Sequence, residues 1–321
     1  MFTLAHATDW HTTALRGAGA APFASKRFFG WLSWNIRRHR LHRPEVLEAL
    51  FADLEKQGPD HVAITGDLTN VALPQEFEEA ARLLRRLGPP EWISAIPGNH
   101  DAYVAVPPEQ SWDLWAPYLA SDPAVLADRE GASDGISQAG AVPMRAPRAE
   151  DFPTLRVRGE VAIVGLCTAL PTPLFQASGT VGAAQLARLE PLLHALRDRD
   201  LFRVVLVHHP ITDVELEPRR RLRDADALCE VLARAGAELV LHGHRHRTVL
   251  AATPGPDGEI PVVGARSASD VGEKEHKRAQ YHLYGIERRE GPGARYRITL
   301  RIRGWEARSR SFRAEEERVL A

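Results

Sequence analysis

The chain of 321 residues contains only two cysteines, no excess of charge of either sign and no long apolar run. Cys167 and Cys229 lie in apolar contexts without motif spacing, so we expect two free thiols in a reducing compartment rather than a disulfide. The 41 basic side chains balance 42 acidic ones, which argues against a nucleic-acid binder driven by overall charge. No segment has the roughly 18 consecutive apolar residues of a membrane span, and the N-terminus lacks a signal-peptide pattern. These absences favour a cytoplasmic protein.

The chain does contain a regular alternation of short apolar stretches with segments of helical periodicity. Pro44 and Pro74 fit the first turn of a helix, and Gly58, Gly88 and Gly236 fit helix ends. Such alternation is typical of parallel βαβ units. The pattern predicts strands at residues 2–8, 61–65, 91–96, 161–166, 204–207 and 239–241, and helices at 44–56, 74–87, 183–197 and 224–235.

The C-terminal third lacks intervening helices, and its apolar stretches predict a second, more antiparallel sheet. Two other regions fit the core less well. The first region, residues 103–152, is rich in proline, alanine and glycine, so we predict a long loop with one helix at 109–119. The second region, residues 305–321, is predicted to be a charged, solvated tail. The late strands are predicted at 247–252, 261–263, 280–287 and 295–303.

Five short polar runs stand at the ends of the apolar stretches. Their aspartate, asparagine and histidine side chains suit Mn, Fe, Zn or Mg ions. Seven such ligands exceed the four of a structural zinc site, so their number indicates two metals that share a ligand. In open α/β sheets, sites gather at the carboxyl ends of strands, where these runs fall. The runs are Asp9-Trp10-His11, Gly66-Asp67, Gly98-Asn99-His100-Asp101, His208-His209-Pro210 and Gly243-His244-Arg245-His246.

These runs resemble, in the same order, the D-x-H, GD, GNH[DE], H and GHxH pattern of the calcineurin-like metallophosphoesterases. The resemblance implies an α/β fold in which two mixed β-sheets form a sandwich flanked by helices, in four αββα layers, within a single domain of residues 1–304. It also implies two metal ions, for which manganese, iron and zinc are all suitable. The implied ligands are Asp9, His11, Asp67 and His246 for the first ion, and Asp67, Asn99, His208 and His244 for the second.

By the same resemblance, a hydroxide that bridges the two metals attacks phosphorus in line, and His100 assists the leaving group. We predict that Asp101 orients His100 by accepting a hydrogen bond, with a turn-stabilising role as the alternative. His209 is assigned either to contact with a metal ligand or the substrate, or to simple packing. Arg266, together with the serines at 267 and 269, is expected to line the substrate side of the site.

An insertion at 14–43 follows the first run and contains no acidic residue. Its segment 26–43 combines basic side chains with phenylalanine and tryptophan, which is typical of a helix that meets an anionic membrane surface. The alternative is a lid or a packing element beside the site. Because the segment leaves directly from His11, we expect it to begin at the rim of the metal site.

The compact length and the two histidine-rich runs are similar to the bacterial branch that includes cyclic nucleotide phosphodiesterases. The leading interpretation is therefore a phosphodiesterase of a small anionic substrate such as a 3′,5′-cyclic nucleotide. One alternative is hydrolysis of a lipid-linked phosphodiester or pyrophosphate, of the UDP-diacylglucosamine type, by a protein peripheral to the inner membrane face. Another is an inactive adaptor that the metals stabilise. No nucleic-acid substrate is expected, and the oligomeric state stays open.

Overall fold

A computed structural model describes residues 1–11, 15, 26–122, 145–212, 217–289 and 295–321. In this part of the chain, two six-stranded mixed sheets pack face to face, and helices cover both outer faces. The predicted four-layer α/β sandwich is therefore confirmed. The centre of the predicted loop, residues 123–144, and most of the first half of the predicted insertion, 12–14 and 16–25, lie outside the described residues.

The first sheet joins strands from both ends of the chain. They are β1 (Phe2–Ala7), β2 (His61–Ile64), β3 (Ile93–Ala95), β10 (Gln280–Arg288), β11 (Tyr296–Glu306) and β12 (Ser311–Val319). Their order is β12-β11-β10-β1-β2-β3. β1, β2 and β3 are parallel neighbours, whereas β10 joins β1 in antiparallel fashion and continues into an antiparallel meander.

The second sheet is parallel in its centre and antiparallel at its edges. Its strands are β4 (Thr154–Arg158), β5 (Val161–Gly165), β6 (Phe202–Leu206), β7 (Leu239–His242), β8 (Val249–Gly255) and β9 (Gly258–Gly264). Their order is β4-β5-β6-β7-β9-β8. The central strands β5, β6, β7 and β9 run parallel, so that their carboxyl ends lie at one edge of the sheet.

The helices form the outer layers and the rim of the sandwich. They are α1 (Arg27–Ser33), α2 (His39–Leu41), α3 (Pro44–Gln57), α4 (Pro74–Leu87), α5 (Ala116–Leu119), α6 (Ala183–Asp198) and α7 (Ala225–Ala235). A π-helical turn, Trp34–Arg38, joins α1 to α2. Pro44 and Pro74 are the first residues of α3 and α4, as predicted, because the fixed φ of proline suits that position.

The central strands are buried on both faces, because successive side chains of a strand point to opposite sides of its sheet. In β2, Val62 and Ile64 belong to the core formed with α3 and α4, whereas Ala63 belongs to the core between the sheets. In β6, Val205 packs with α6 and α7, whereas Val204 faces the first sheet. The two sheets are thereby held in fixed relation at the edge where the parallel strands end.

Three predictions about the poorly patterned regions were wrong. The late strands form no sheet of their own, since β8 and β9 extend the second sheet and β10–β12 extend the first. Residues 305–321 are not a tail, because β11 reaches Glu306 and β12 pairs with it as an exposed, highly charged edge strand. The helix predicted at 109–119 is broken into two short 3₁₀ turns, Pro108–Gln110 and Trp112–Trp115, followed by α5.

Two predictions from composition agree with the structure. Cys167 and Cys229 are both free thiols. Within the described ranges, every helix is too short or too polar to span a bilayer.

Candidate metal centre

The seven predicted ligands lie together although they come from five separate parts of the sequence. They follow β1 (Asp9, His11), β2 (Asp67), β3 (Asn99), β6 (His208) and β7 (His244, His246). Parallel strands end at the same edge of a sheet, and the two sheets pack face to face, so these loops converge.

Asp9, His11 and His246 form the first cluster, in which one ligand atom from each residue lies within 4.8 Å of the others. The Nε2 atom of His246 is 3.1 Å from Oδ1 of Asp9 and 3.3 Å from Nε2 of His11. The Asp9 Oδ1 atom is buried and has no hydrogen-bond partner among the described residues. Because buried polar atoms are nearly always satisfied, this carboxylate oxygen fits a metal ligand.

The second cluster consists of Asp67, His208 and His244, again with ligand atoms within 4.8 Å of one another. Asn99 completes it, because its Oδ1 lies 2.8 Å from Nδ1 of His244 and 3.1 Å from Nε2 of His208. The amide oxygen is a neutral donor beside an anionic carboxylate and two imidazoles. This donor set suits the intermediate ions manganese, iron and zinc.

Asp67 stands between the two clusters. Its Oδ2 atom is 3.7 Å from Nε2 of His11 in the first cluster and 3.4 Å from Nε2 of His208 in the second. Burial opposes ionisation of this carboxyl group, but His208 and His100 hold the pKa of Asp67 far below its ordinary value. An ionised carboxylate at this place can bridge two ions and reduce their mutual repulsion.

The backbone of these loops is unusual in a way that brings the ligands together. Five of the seven ligand residues have a positive φ, namely Asp9, His11, Asp67, His244 and His246. For a residue other than glycine, this sparsely populated backbone conformation costs about 1–3 kcal/mol. Residues that adopt it concentrate at functional sites.

Two glycines allow the loops after β2 and β3 to touch. A Cβ atom on Gly66, whose φ is +88°, would lie 2.4 Å from the backbone nitrogen of Gly98. A Cβ atom on Gly98 would lie 2.2 Å from Oδ1 of Asp67. A larger residue at Gly98 would displace the Asp67 carboxylate, and one at Gly66 would force the two loops apart.

Backbone carbonyl groups hold three of the ligand imidazoles by their second nitrogen. Nδ1 of His11 lies 3.0 Å from the oxygen of Thr69, and Nδ1 of His208 lies 2.6 Å from that of Thr65. Nε2 of His244 lies 3.0 Å from the oxygen of Arg220. Because a carbonyl group only accepts, each of these nitrogens carries the proton, and the other nitrogen keeps a lone pair for an ion.

His100 lies at the edge of this centre. One of its ring nitrogens is within 4.8 Å of ligand atoms of His11 and Asp67. Nδ1 lies 2.5 Å from the carbonyl oxygen of Asn70, to which it donates, so that Nε2 is the nitrogen left for other contacts. Burial, followed by the charge of Arg38, lowers the pKa of His100.

The geometry assigns Asp101 the alternative, structural role. Its Oδ2 atom accepts hydrogen bonds from the backbone nitrogens of Asp67 and Gly98, at 2.8 and 2.9 Å. Its Oδ1 atom accepts from the backbone and hydroxyl of Thr69. The carboxylate therefore joins the loops that carry the ligands, and the prediction that it orients the His100 ring is not supported, because a backbone carbonyl group does so.

The two predicted substrate contacts, His209 and Arg266, have partners within the protein. His209 is completely buried, and its ring nitrogens are 2.7 Å from Oγ1 of Thr168 and 3.1 Å from the oxygen of Ala177. Arg266 donates to the carbonyl oxygen of Glu275 at 3.2 Å. Both predictions followed from nearness in sequence to a ligand. The structure instead packs the His209 ring against that of His244, with ring centres 4.6 Å apart, and directs Arg266 toward Glu275.

The serines next to Arg266 hold the loop after β1, which carries two residues of the first cluster. Ser267 Oγ donates to the carbonyl oxygen of Asp9 at 2.7 Å. Ser269 Oγ makes a short contact with the carbonyl oxygen of Trp10. These contacts hold the backbone between the ligands and do not face a substrate.

Two residues of the insertion reach the site without any motif to indicate them. Nη1 of Arg38 lies 3.3 Å from Nε2 and 3.4 Å from Nδ1 of His100. The ring of His42 is 5.0 Å from that of His11, and its Nδ1 is 2.9 Å from Oγ of Ser269. In the sequence, both residues belong to an undifferentiated basic stretch, and only its departure from His11 suggested nearness to the site.

The inner face of α1 packs on the loop after β2. Arg27 donates through Nε and Nη2 to the carbonyl oxygens of Val71 and Ala72, at 3.1 and 2.5 Å. A Cβ atom on Gly30 would lie 2.3 Å from Cγ1 of Val71, so the helix approaches more closely than a larger residue permits. The nitrogen of Lys26 lies 4.2 Å from the centre of the Tyr103 ring.

The outer face of the same segment exposes large apolar side chains. Phe28, Phe29, Leu32 and Ile36 are 39–65% exposed. The Phe29 ring also contacts the exposed Phe175, with ring centres 5.4 Å apart. We call these five residues the apolar patch. One face of the insertion therefore packs at the rim, as a lid or packing element would, and the other exposes apolar side chains, as a membrane-surface helix would.

Comparison with known proteins agrees with this architecture. The family model for calcineurin-like phosphoesterases matches residues 2–248, a range that includes all seven predicted ligands. No curated protein sequence matches the chain significantly.

Two solved structures share the fold. The chain is similar to a dimetal phosphatase from Danio rerio, with a TM-score of 0.58 and 11% sequence identity over 100% of this chain and 98% of that chain. It is also similar to the NAD nucleotidase of Haemophilus influenzae, with a TM-score of 0.51 and 12% identity over 98% of this chain and 53% of that chain. The chain thus spans about half the length of the nucleotidase. At such low identity, these likenesses concern the fold alone.

Proposed function

The chain belongs to the calcineurin-like phosphoesterase family, and on that premise we propose that it hydrolyses phosphoric diesters with two metal ions. The observation that carries this proposal is the pair of Asp/His clusters on either side of Asp67. The proposed ligands are Asp9, His11, Asp67 and His246 for one ion, and Asp67, Asn99, His208 and His244 for the other.

Two observations fit this assignment. The Oδ1 atom of Asp9 has no hydrogen-bond partner among the described residues, and backbone carbonyl groups hold three of the imidazoles. Ions bound there would supply an activated water and neutralise charge on the phosphoryl oxygens. The protein's own residues present lone pairs at fixed positions. Asp101 and the two glycines hold the loops, so that little reorganisation is needed when a substrate binds.

In this proposal His100 stands beside the leaving group. The Asn70 carbonyl group holds Nδ1, which leaves Nε2 as the atom that can act toward the leaving oxygen. A histidine that aids departure of the leaving group contributes typically about 10²–10⁴-fold to the rate.

A small anionic diester, such as a 3′,5′-cyclic nucleotide, is the leading substrate. The similarity of the two histidine runs to those of the phosphodiesterase branch supports it. The half-buried cation of Arg38 beside His100 also favours an anion at this place.

The apolar patch supports a second candidate, a lipid-linked phosphodiester or pyrophosphate presented by an anionic membrane. Exposed phenylalanine side chains at the rim of a site can enter the boundary between headgroups and acyl chains. The sequence from residue 12 to 43 has basic but no acidic side chains, which fits an anionic surface. The protein would then be peripheral to the membrane.

The deciding experiment compares substrates with protein reconstituted separately with manganese, iron or zinc. The substrates are 3′,5′-cyclic AMP, an aryl phosphodiester, an aryl phosphomonoester and a UDP-linked diacyl sugar in mixed micelles. Preference for the cyclic nucleotide supports the leading substrate, and preference for the micellar one supports the second candidate. A metal-loaded protein that hydrolyses none of them contradicts the proposed function.

The apolar patch has its own test. Replacing Phe28 and Phe29 with serine should reduce turnover of the micellar substrate but not of the aryl diester if the patch enters lipid. If the variant keeps the same fraction of the unchanged protein's rate on both substrates, a membrane role for these side chains is excluded.

A further inference from the structure

We propose that Arg38, which the insertion supplies, binds the phosphoryl group of the substrate beside His100. This inference rests on the proposed phosphoesterase function and adds to it a residue from outside the five motif runs. Arg38 keeps its protons in this role and contributes hydrogen bonds and charge, without a covalent step.

The position of the guanidinium group is the first observation. Nη1 of Arg38 is 3.3 Å from Nε2 of His100, and a ring nitrogen of His100 is within 4.8 Å of ligand atoms of His11 and Asp67. Nη1 is nearly equidistant from the two ring nitrogens, so the guanidinium group lies against the His100 ring, and Nδ1 donates to the Asn70 carbonyl group. The cation thus adjoins the proposed position of the leaving group.

The lack of a protein counter-charge is the second observation. In the described ranges, Arg38 forms no ion pair with a carboxylate, and its Nε and Nη2 atoms have no hydrogen-bond partner. Arg203 and Arg303 each pair with a carboxylate, at 2.7 and 2.5 Å. The buried Arg156 instead donates to backbone carbonyl groups. Among the described residues, the half-buried Arg38 has neither kind of partner for these two atoms, so they can bind an anion, and planar guanidinium donors match phosphate oxygens.

The local backbone supplies the third observation. Arg38 is the last residue of the π-helical turn Trp34–Arg38, which interrupts the helix between α1 and α2. Such single turns widen the helix, change the direction of the following side chains and often occur at functional sites. The close approach of Gly30 to Val71 holds the preceding helix on the rim of the site.

Metal ions in the two clusters would also change the charge balance around Arg38. Ions bound to the Asp/His clusters would offset the charges of Asp67 and Asp9, the two carboxylates whose charge acts on Arg38. The phosphoryl oxygens of a substrate would then be the anion that balances the guanidinium group.

The test measures binding of inorganic phosphate to the manganese-loaded protein by calorimetry, together with kcat and KM for an aryl diester. We expect Arg38→Ala to weaken phosphate binding and to lower kcat/KM, each by about 10²-fold, as for removal of a preorganised donor. Arg38→Lys should recover only part of the loss, because a lysine cannot form the paired hydrogen bonds. Guanidinium ion added to Arg38→Ala should restore activity in part.

Arg40→Ala is the matched control, because Arg40 is an exposed arginine two residues away. It should change neither quantity, and metal content and thermal stability should be equal in all variants. Unchanged phosphate affinity in Arg38→Ala would overturn the inference, and so would absence of phosphate binding by the unsubstituted protein. If that protein binds phosphate through Arg38 but hydrolyses no diester, the proposed function fails and the contact stands.

Discussion

The strand-end loops and the insertion face the same site but are built in different ways. The loops are buried, five of their seven ligands have left-handed backbone, and carbonyl groups hold three of their imidazoles. The insertion rests on the rim through contacts of Arg27, Gly30 and Lys26, and exposes the apolar patch. The difference indicates that the sheets determine the chemistry of the site, whereas the insertion is free to determine what it binds.

The largest effect is expected from a change in the loops. Asp67→Ala should lower diesterase activity by about 10³-fold or more, because it removes a donor that both ions share. Metal analysis should find less than the full complement of two ions. Asp67→Asn, which keeps the shape of the side chain, should lose nearly as much. Full activity of either variant would contradict the bridging assignment.

His100→Ala tests whether the protein is a catalyst or an inactive adaptor. Turnover should fall by about 10²–10⁴-fold, because the group beside the leaving oxygen is lost. Metal content and thermal stability should remain unchanged, since His100 is not among the proposed ligands. The adaptor hypothesis predicts no measurable change in any property of this variant.

Asp101→Asn distinguishes a structural from a catalytic carboxylate in the same loop. The amide would place N–H donors against backbone N–H groups of Asp67, Gly98 or Thr69. We expect metal affinity to fall by about 10–100-fold, and the free energy of unfolding to fall by about 1–3 kcal/mol. Excess manganese should then restore most of the activity. Activity that stays low at saturating metal would favour the catalytic role instead.

Gly30→Ala tests the insertion alone and should have the smallest effect. The added Cβ atom would lie 2.3 Å from Val71 and displace α1 from the rim. We expect kcat/KM to fall by about tenfold, a small share of what a misplaced substrate-binding group can cost. Metal content should stay constant. Adding Val71→Ala makes room for the Cβ atom and should restore activity, and failure of this rescue would show that the packing contact does not position Arg38.

The candidate metal ligands could be recognised in the sequence because their chemistry is local. Asp67 follows the buried strand β2 within three residues and stands next to a glycine. The four-layer sandwich was predictable for a similar reason, since alternating strand and helix periods indicate which elements must bury both faces. The family match over residues 2–248 agrees with that reading.

The sequence was misleading where a residue's role depends on the direction of its side chain. His209 adjoins a ligand in sequence, but it is buried, contacts Thr168 and Ala177, and packs against the ring of His244. Arg266 follows the ligands in sequence but contacts Glu275. Charged residues in β12 suggested a tail, because an edge strand can expose most of its side chains and so lacks the apolar alternation of a central strand.

By itself, the sequence determined which side chains can bind metal and that they follow buried strands. It did so because ligand chemistry and strand burial both depend on residue type over a few neighbouring positions. Only the tertiary structure decided that Arg38 meets His100, that Asp101 joins backbone loops, and that the late strands divide between two sheets. Those outcomes depend on which distant segments pack together, and a short stretch of sequence does not specify its distant packing partners.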